Sequence, residues 1–295
     1  MKPGVVSAFA LALAIGTAIA DNGKYTRTSP PAGALVVDAS GQCANSHTTI
    51  TSAVNKLQNI TSPQTIFILP GTYTEQVYVP PLTGPLTIQG YTEDARRYRD
   101  NTVTLTNNLS RQTPNLTSND QTATLRLWTS NLKVYNLNIA NTFGAAPSNG
   151  QALAVSAQKT NQGFYACSFT GWQDTIYANE GKQIYGKSYI SGAVDFIFGL
   201  RAIAWFHDVD IDVVGPGYIT ANGREAQNNT SIFVINQSRI FGSTPNSTYL
   251  GRPWRPYSRV VVQRSAIGDV VKPEGWVKWD EVQSLEHVEL SLIHI

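Results

Sequence analysis

The sequence predicts an all-β protein in which the chain winds as a parallel β-helix, a single-stranded solenoid. The most direct indication is a repeat: Gly171–Ala178 matches Gly192–Gly199 at a shift of 21 residues, with glycine, aspartate, isoleucine and an aromatic residue at equivalent positions. If one coil is about that long, equivalent residues lie in neighbouring strands, about 4.8 Å apart. Asp174 would then stack beside Asp195.

A second pattern recurs through the C-terminal half of the chain. Predicted four-residue strands begin with polar or small residues and end with an apolar residue. The sequence distances between these last residues, called closing residues below, are 30, 21, 21, 29 and 27. A minimum step of 21 with occasional additions indicates a constant coil that carries variable loops. The strands are Asn136–Ile139, Ala166–Phe169, Lys187–Ile190, Asp208–Ile211, Gln237–Ile240 and Arg264–Ile267.

Local composition agrees with a β-rich fold. Runs such as Phe233–Ile235 and Val260–Val262 are β-branched or aromatic, which favours strands. Helical periodicity is scarce, and the best candidate, Thr48–Leu57, predicts a short N-terminal cap helix over the first coil. An ordinary β-sandwich with chance internal similarity is the alternative fold.

The composition predicts one domain without a nucleic-acid partner. The formal net charge is +2 and only 14% of the residues are charged. No linker or low-complexity tract divides the chain, and a solenoid grows along one axis, so 295 residues fit a single domain. The small positive excess is compatible with an anionic substrate.

The N-terminus has the features of a secretory signal peptide. An apolar run from Val5 to Ala20 follows Lys2 and ends in Ala-Ile-Ala, which predicts a signal peptide over residues 1–20 and cleavage before Asp21. An uncleaved anchor is the alternative, but the run is short and no later segment is long enough to span a bilayer. Secretion would permit glycosylation of the sequons at Asn59, Asn108, Asn115, Asn228, Asn229, Asn236 and Asn246.

The two cysteines, Cys43 and Cys167, leave two interpretations open. Secretion permits a disulfide. Cys167 lies inside a repeat strand, however, and we expect it to be a buried free thiol.

The aspartate pair suggests chemistry by itself. Two carboxylates held within about 5 Å cannot both ionise cheaply, so one pKa rises. Asp174 and Asp195 could thus supply a carboxylic acid and a carboxylate at the same pH. Two solvated aspartates on an outer strand face are the alternative.

Five stretches, spread along most of the chain, occur in the order of a known family: Gly71–Glu75, Gln151–Val155, Gly171–Thr175, Asp195–Gly199 and Leu250–Trp254. Through them the chain resembles the pectin methylesterases, secreted carbohydrate esterases that act on plant cell wall pectin. The resemblance covers roughly residues 35–289 and implies a right-handed parallel β-helix, a catalytic domain over residues 21–289 and a fungal type of enzyme.

The resemblance also implies residue roles. Asp195 would be the nucleophile, and Asp174 the general acid that protonates methanol and then the base that activates water. Gln151 and Gln173 would form the oxyanion hole, although an amide ladder between coils is the alternative. Arg252 would hold Asp195 as an ionised carboxylate.

Four aromatic residues are candidate pectin contacts, because sugar rings stack on aromatic faces. Trp254 lies between prolines and arginines, which favours substrate contact, and Trp276 is expected at the edge of the cleft. Phe198 and Tyr177 could equally belong to the core. The Gly71–Glu75 motif is expected to be architectural, with Tyr73 and Glu75 on one strand face.

We expect no cofactor and no metal, and a monomeric protein whose partner is methyl-esterified pectin. The four histidines have no metal-ligand spacing. Alternation of Asp208, Asp210 and Asp212 could form a calcium site, but a solvated strand face with Val209, Ile211 and Val213 turned inward is the simpler interpretation.

The chain departs from the family at its C-terminus. Residues 290–295 do not resemble the family, and we expect them to be a non-native or truncated end. The missing stretch could expose a strand edge or a groove.

Two other functions compete with ester hydrolysis. A pectin-active β-helix glycosidase or lyase could also use paired carboxylates about 5 Å apart. A non-catalytic wall-binding solenoid would need no such pair. The two glutamines and Arg252 favour the esterase.

Overall fold

A computed structural model describes residues 25–293, which form an all-β solenoid. Besides the strands, the described residues include the α-helix α1 (Ile50–Val54) and the 3-10 helices Tyr98–Asp100 and Asp120–Thr122. The strands in chain order are β1 (Leu35–Val37), β2 (Gln64–Ile68), β3 (Gly71–Thr74), β4 (Val77–Val79), β5 (Leu86–Gly90), β6 (Val103–Asn107), β7 (Leu125–Leu127), β8 (Leu132–Tyr135), β9 (Asn138–Asn141), β10 (Val155–Ala157), β11 (Gln162–Tyr165), β12 (Ser168–Thr170), β13 (Ile176–Ala178), β14 (Glu180–Gly186), β15 (Tyr189–Gly199), β16 (Arg201–His207), β17 (Asp210–Asn222), β18 (Ile232–Asn236), β19 (Arg239–Gly242), β20 (Thr248–Gly251), β21 (Arg259–Gln263), β22 (Ala266–Ile267) and β23 (Glu289–Ile293).

The strands stack into three parallel faces around one core. The first face is a ten-stranded sheet in the order β1-β2-β5-β8-β11-β14-β16-β18-β21-β23. The second and third faces merge, because β15 and β17 are long enough to run along both. All ladders between these strands are parallel, so the right-handed parallel β-helix predicted from the sequence is confirmed.

The register confirms the repeat. Tyr177 pairs with Phe198 and Ile176 with Ile197, which is the predicted shift of 21 residues. The closing residues of the recurrent pattern stack in one continuous row on the second face: Ile139, Phe169, Ile190, Ile211, Ile240 and Ile267.

The first two residues of each recurrent unit are a turn, which the strand prediction missed. In all six units the first residue has a positive φ, from 49° at Gln237 to 55° at Asp208, and the strand begins at the third residue. A left-handed residue turns the chain sharply from the first face to the second. Polarity at this position therefore reflects the corner rather than an outward strand position.

The second residue of each unit is buried, and where it is serine its hydroxyl links the coils. Ser188 Oγ accepts a hydrogen bond from the Cys167 N–H at 3.1 Å, and Ser238 Oγ accepts one from the Val209 N–H at 3.2 Å. Buried hydroxyls thus satisfy backbone donors that the corner takes out of the sheet ladders.

The helix prediction is confirmed, and its partner is the architectural motif. Helix α1 lies inside the predicted Thr48–Leu57 segment, with Thr49 as its N-cap. The Glu75 carboxylate accepts hydrogen bonds from the Ile50 N–H at 2.7 Å and the Thr51 N–H at 3.0 Å. The same motif anchors Tyr73, whose hydroxyl donates to the Leu69 carbonyl at 3.0 Å.

The predicted signal peptide and its cleavage site lie outside the described residues. Within residues 25–293 no helix is long and apolar enough to cross a membrane, and no group of acidic, histidine and cysteine side chains is arranged to hold a metal ion. Val209, Ile211 and Val213 point inward as predicted, at 1%, 0% and 3% exposure.

Both cysteines are free thiols in the described part of the chain, Cys43 exposed and Cys167 buried. Burial raises the pKa of Cys167 to about 11, so this thiol stays protonated.

The last strand takes up most of the segment expected to be non-native. Residues Glu289–Ile293 pair with Arg259–Gln263 and form the terminal strand of the first face. Leu290 packs against the core, whereas Leu292 and Ile293 stay 45% and 38% exposed. The outer edge of this strand has no further strand beside it among the described residues.

Candidate active site

One pocket on the third face collects most of the side chains that the sequence predicts to be functional. It has a volume of about 210 Å³. Its lining residues come from five successive coils, from the loop before β7 and from the segment between β22 and β23: Asn119, Gln151, Gln173, Asp174, Asp195, Phe198, Ala221, Arg252, Trp254 and Trp279.

The two aspartates lie in neighbouring coils, as the repeat predicts. Gln173 forms a β-bridge with Val194, and the Asp174 N–H donates a hydrogen bond to the Val194 carbonyl at 3.0 Å. Asp174 and Asp195 each follow one of these two bridged residues, so they are neighbours in adjacent coils. Asp174 has φ 65° and Asp195 has φ 48°. Such left-handed residues are uncommon outside glycine, and strained backbone clusters at functional sites. Here the turn occurs at both acidic residues of the pocket.

Arg252 binds one of the two carboxylates. Its Nε donates to Asp195 Oδ1 at 3.0 Å and its Nη2 donates to Oδ2 at 2.6 Å, so the contact that the resemblance implies is present and bidentate. The pair is mostly sequestered, with side-chain exposures of 19% for Arg252 and 7% for Asp195. Asp174 has no such cationic partner among the described residues.

The guanidinium of Arg252 is itself clamped between two rings. Its Cζ lies 4.0 Å from the ring centroid of Tyr218 and 4.0 Å from that of Trp279. Tyr218 in turn stacks on Tyr249, with ring centroids 5.9 Å apart. Cation–π contacts on both sides restrict the guanidinium to one plane, the plane in which it meets Asp195.

Burial raises the pKa of both aspartates, and Arg252 makes the two values differ. Each residue is only 5% exposed. Burial, and secondly the neighbouring Asp195 charge, raise the pKa of Asp174 well above its usual value. Burial also raises the pKa of Asp195, but the hydrogen bonds from Arg252 oppose this rise. Asp195 is therefore the group that ionises first, and Asp174 is the group that keeps a proton.

The two glutamines stack one coil apart, next to the aspartates. Gln151 pairs with Gln173, and Gln173 with Val194. A side chain at Gly150 would approach Gln173 Oε1 to 2.9 Å, so the glycine leaves room for this amide. The Oε1 atom of Gln151 is buried without a hydrogen-bond partner among the described residues. This oxygen can only accept a hydrogen bond, and the donor that an oxyanion needs is the Nε2 group of the same amide.

Asn119 is a pocket residue that sequence reasoning missed. Its Nδ2 donates a hydrogen bond to Asp174 Oδ2 at 3.0 Å. It lies in the loop before the 3-10 helix Asp120–Thr122, outside every repeat unit and every motif. No pattern in the sequence marks it, because the contact joins residues 55 positions apart.

The aromatic candidates divide into two groups. Phe198 and Trp254 line the pocket, and Tyr177 stacks on Phe198 with ring centroids 4.3 Å apart. These three belong to a small apolar cluster separate from the main core. Trp254 is seated against Gly223, where a Cβ would come within 2.6 Å of the indole.

Trp276 does not line the pocket in the structure. It packs partly buried against the main core and bridges to Gly251, whereas Trp279 lines the pocket. The Gln283 side chain explains the position of Trp279: its Oε1 accepts from the Trp279 N–H at 2.9 Å, and its Nε2 donates to the Pro253 carbonyl at 2.6 Å. The signal that the sequence offered for this pocket residue was Trp279 itself, a second tryptophan three residues after Trp276.

Comparison with known proteins gives one consistent family. The Pectinesterase family model matches residues 34–290. The chain is 48% identical over 263 residues to a pectinesterase of Aspergillus aculeatus, covering 86% of this chain and 78% of that protein. It is 45% identical over 284 residues to a pectinesterase of Aspergillus niger, covering 93% and 82% respectively.

Solved structures agree. The crystal structure of a pectin methylesterase from Aspergillus niger in deglycosylated form matches with a TM-score of 0.83 at 35% identity, covering 91% of this chain and 87% of that one. A pectin methylesterase from carrot matches with a TM-score of 0.80 at 29% identity, covering 90% and 84%. Because the family model spans most of the sequence and the fungal relatives align along nearly all of it, the chain belongs to the pectinesterase family.

Proposed function

We propose that this protein hydrolyses the methyl esters of pectin galacturonate, releasing methanol and demethylated pectin. The observation that carries the proposal is the asymmetric aspartate pair: two buried carboxyl groups in adjacent coils, of which Arg252 binds only Asp195. Membership of the pectinesterase family supports the substrate class.

The first half-reaction assigns a role to each member of the pair. An ionised Asp195 oxygen forms a bond to the ester carbonyl carbon, and the carbonyl electron pair moves onto its oxygen. Gln151 and Gln173 supply amide donors for that oxyanion. As the C–OCH₃ bond breaks, the proton of Asp174 passes to the methoxy oxygen and methanol leaves. An acyl-enzyme anhydride on Asp195 remains.

The second half-reaction runs through the same groups. Asp174, now a carboxylate, takes a proton from water while the water oxygen bonds to the acyl carbon. The anhydride C–O bond then breaks, which returns Asp195 as a carboxylate held by Arg252 and Asp174 as an acid. The cycle needs one charged and one neutral aspartate, and the environments of the two residues favour that state.

The aromatic cluster beside the pair supplies faces for sugar rings. Trp254 and Phe198 line the pocket, and Tyr177 supports Phe198. Burial raises the pKa of Tyr177 to about 12, so the ring stays neutral at all working pH values. Trp279 replaces Trp276 as the fourth candidate contact in this proposal.

Secretion, glycosylation and a monomeric state are also part of the proposal and rest on the sequence. The apolar run before Asp21 supports secretion. Asn59, Asn108, Asn115 and Asn246 are exposed and suit glycans. Asn236 does not, because its side chain is 6% exposed and its amide hydrogen-bonds with His207.

The direct test is methanol release from highly methylated pectin, measured together with reducing ends. Ester hydrolysis yields methanol without new chain ends. An increase in reducing ends or unsaturated ends without methanol would replace the esterase by a glycosidase or a lyase. Tight pectin binding without any product would favour a wall-binding protein.

The ring clamp on Arg252 leads to a further prediction. Tyr218→Leu removes one cation–π face and should lower kcat roughly tenfold, since such a contact is worth about 1 kcal/mol or more when desolvated. Tyr218→Phe keeps the ring and should retain activity within about twofold. Steady-state kinetics on methylated pectin measure both. Equal losses in the two variants would assign Tyr218 a role other than the clamp.

A further inference from the structure

The loop before the 3-10 helix Asp120–Thr122 sends one side chain to the general acid of the proposed reaction. Asn119 Nδ2 donates to Asp174 Oδ2 at 3.0 Å, and no other described residue donates a side-chain hydrogen bond to this carboxyl group. We propose that Asn119 is a positioning residue, which keeps the transferable proton of Asp174 on Oδ1 by donating to Oδ2. This inference rests on the proposed function.

The chemistry of the amide makes the contact directional. The NH₂ group of asparagine only donates, so an Oδ2 that faces it must accept and cannot carry a proton toward it. In the acid form Oδ2 is the carbonyl oxygen and the hydroxyl is Oδ1. When Oδ1 gives its proton to the departing methoxy oxygen, Asp174 becomes a carboxylate and the Asn119 bond becomes charge-assisted. The same contact therefore orients the acid and stabilises the base that follows.

The structure holds Asn119 firmly through its neighbour. The Asp120 side chain is buried and accepts from Arg126 Nη2 at 2.7 Å, from Trp128 Nε1 at 3.1 Å and from Ser156 Oγ at 2.7 Å. These partners belong to β7, the segment just after it, and β10, so the loop is fixed to two coils. The Asn119 carbonyl also accepts from the Thr122 hydroxyl at 2.8 Å. The amide thus approaches Asp174 from a rigid base.

Two charged groups act on Asp174, and substitution of Asn119 alters neither of these residues. Asp195 raises the pKa of Asp174 and Arg252 lowers it. The Tyr177 phenol, on the strand that follows, is neutral. Loss of a donor to the ionised form moves a carboxyl pKa upward. A shift after substitution of Asn119 is therefore attributable to its hydrogen bond.

The test compares two variants. Asn119→Leu has a side chain of similar size without a donor, and Asn119→Asp places a second carboxyl group beside Asp174 Oδ2. We expect Asn119→Leu to lower kcat about 10- to 100-fold with little change in KM, as for a misplaced catalytic group. In Asn119→Leu the apparent pKa of the alkaline limb of the pH–rate profile should rise by about one unit. In Asn119→Asp it should rise by at least as much. Ser118→Leu, at the exposed neighbouring position, is the matched control and should behave as wild type.

A second readout does not depend on turnover. Because the folded-state pKa of Asp174 is raised, stability falls as pH rises from the unfolded value and levels off above the folded value. In Asn119→Leu, the free energy of unfolding, measured with urea at a series of pH values, should level off at a higher pH than in wild type.

An unchanged alkaline limb together with an unchanged levelling pH would overturn the role of Asn119, even if kcat falls, because loop damage alone moves neither. Wild type that releases no methanol would instead overturn the proposed function. The unfolding curves would then still report whether Asn119 sets the protonation of Asp174.

Discussion

Asp195→Asn is expected to abolish methanol release, with kcat reduced by at least about 10⁴-fold, the scale seen when a nucleophile is removed. An amide cannot form the anhydride with the ester carbonyl. Asparagine tolerates the left-handed backbone, φ 48°, that Asp195 adopts, so the coil should keep its path. Methanol assays on wild type and variant at matched concentrations measure the effect. Residual activity within tenfold of wild type would exclude Asp195 as the nucleophile.

The same substitution should destabilise the protein. It leaves the Arg252 guanidinium, whose side chain is 19% exposed, without its anionic partner. Removal of one member of a buried pair costs roughly 3–5 kcal/mol. Urea unfolding should show a lower midpoint, while circular dichroism at zero denaturant remains that of a β-solenoid and serves as the control for folding.

Asp174→Asn is expected to lower kcat by about 10³-fold, since the general acid and base contributes roughly 10²–10⁴. The loss should affect both half-reactions, because the same carboxyl group protonates methanol and activates water. The hydrogen bond from Asn119 can be retained by the new amide oxygen, and the backbone at φ 65° suits asparagine. The rate of the first half-reaction should fall less on an ester with a good leaving group, such as a nitrophenyl ester, than on methyl-esterified pectin, because nitrophenolate leaves without a proton. Equal losses in the burst of alcohol release from both esters would argue against proton donation by Asp174.

In contrast to Asp195→Asn, the Asp174 substitution should stabilise the fold at neutral pH. The folded-state pKa of Asp174 is raised well above its usual value by burial and by Asp195. Below the unfolded pKa of about 3.9 both states are protonated and the group does not affect stability. As pH rises toward the folded pKa, only the unfolded state ionises, and wild type loses stability at about 1.4 kcal/mol per pH unit.

Asparagine does not titrate, so the advantage of Asp174→Asn should grow through that window and then stay constant. Urea unfolding at a series of pH values measures it. A stability difference that does not depend on pH would show that Asp174 ionises normally in the folded protein. If Asp174→Asn stabilises the protein and Asp195→Asn destabilises it while both lose activity, the acid of the pair is distinguished from the nucleophile.

Much of the architecture could be predicted because it repeats. The shift of 21 residues between Gly171–Ala178 and Gly192–Gly199 is a property of one coil, and neighbouring coils contact each other in register. The row of closing residues followed from the same period. The corner residues were misassigned as strand because their polar character is the same in a left-handed turn and on an outer strand face, and only φ distinguishes the two.

The pocket was predictable only in part. Asp174, Asp195, Gln151, Gln173 and Arg252 lie in short recognisable segments, and the structure brings all five together. Tyr218 was hidden because β17 pairs with β15 through two register irregularities, so the 21-residue period no longer leads from Val194 to its partner. Trp279 was hidden because its position depends on the Gln283 contacts rather than on the repeat.

The sequence by itself determined the coil length, the family and the stacking of Asp174 beside Asp195, since these depend on residues close together or one period apart. The Arg252–Asp195 pair was expected only through the family resemblance, whereas its geometry, the contact from Asn119 and the burial of both carboxyl groups were decided by the tertiary structure. Arg252 reaches Asp195 across 57 residues and Asn119 reaches Asp174 across 55, through loops whose lengths follow no period. Such contacts, and the burial that shifts both pKa values, arise only when the separate coils pack around a common pocket.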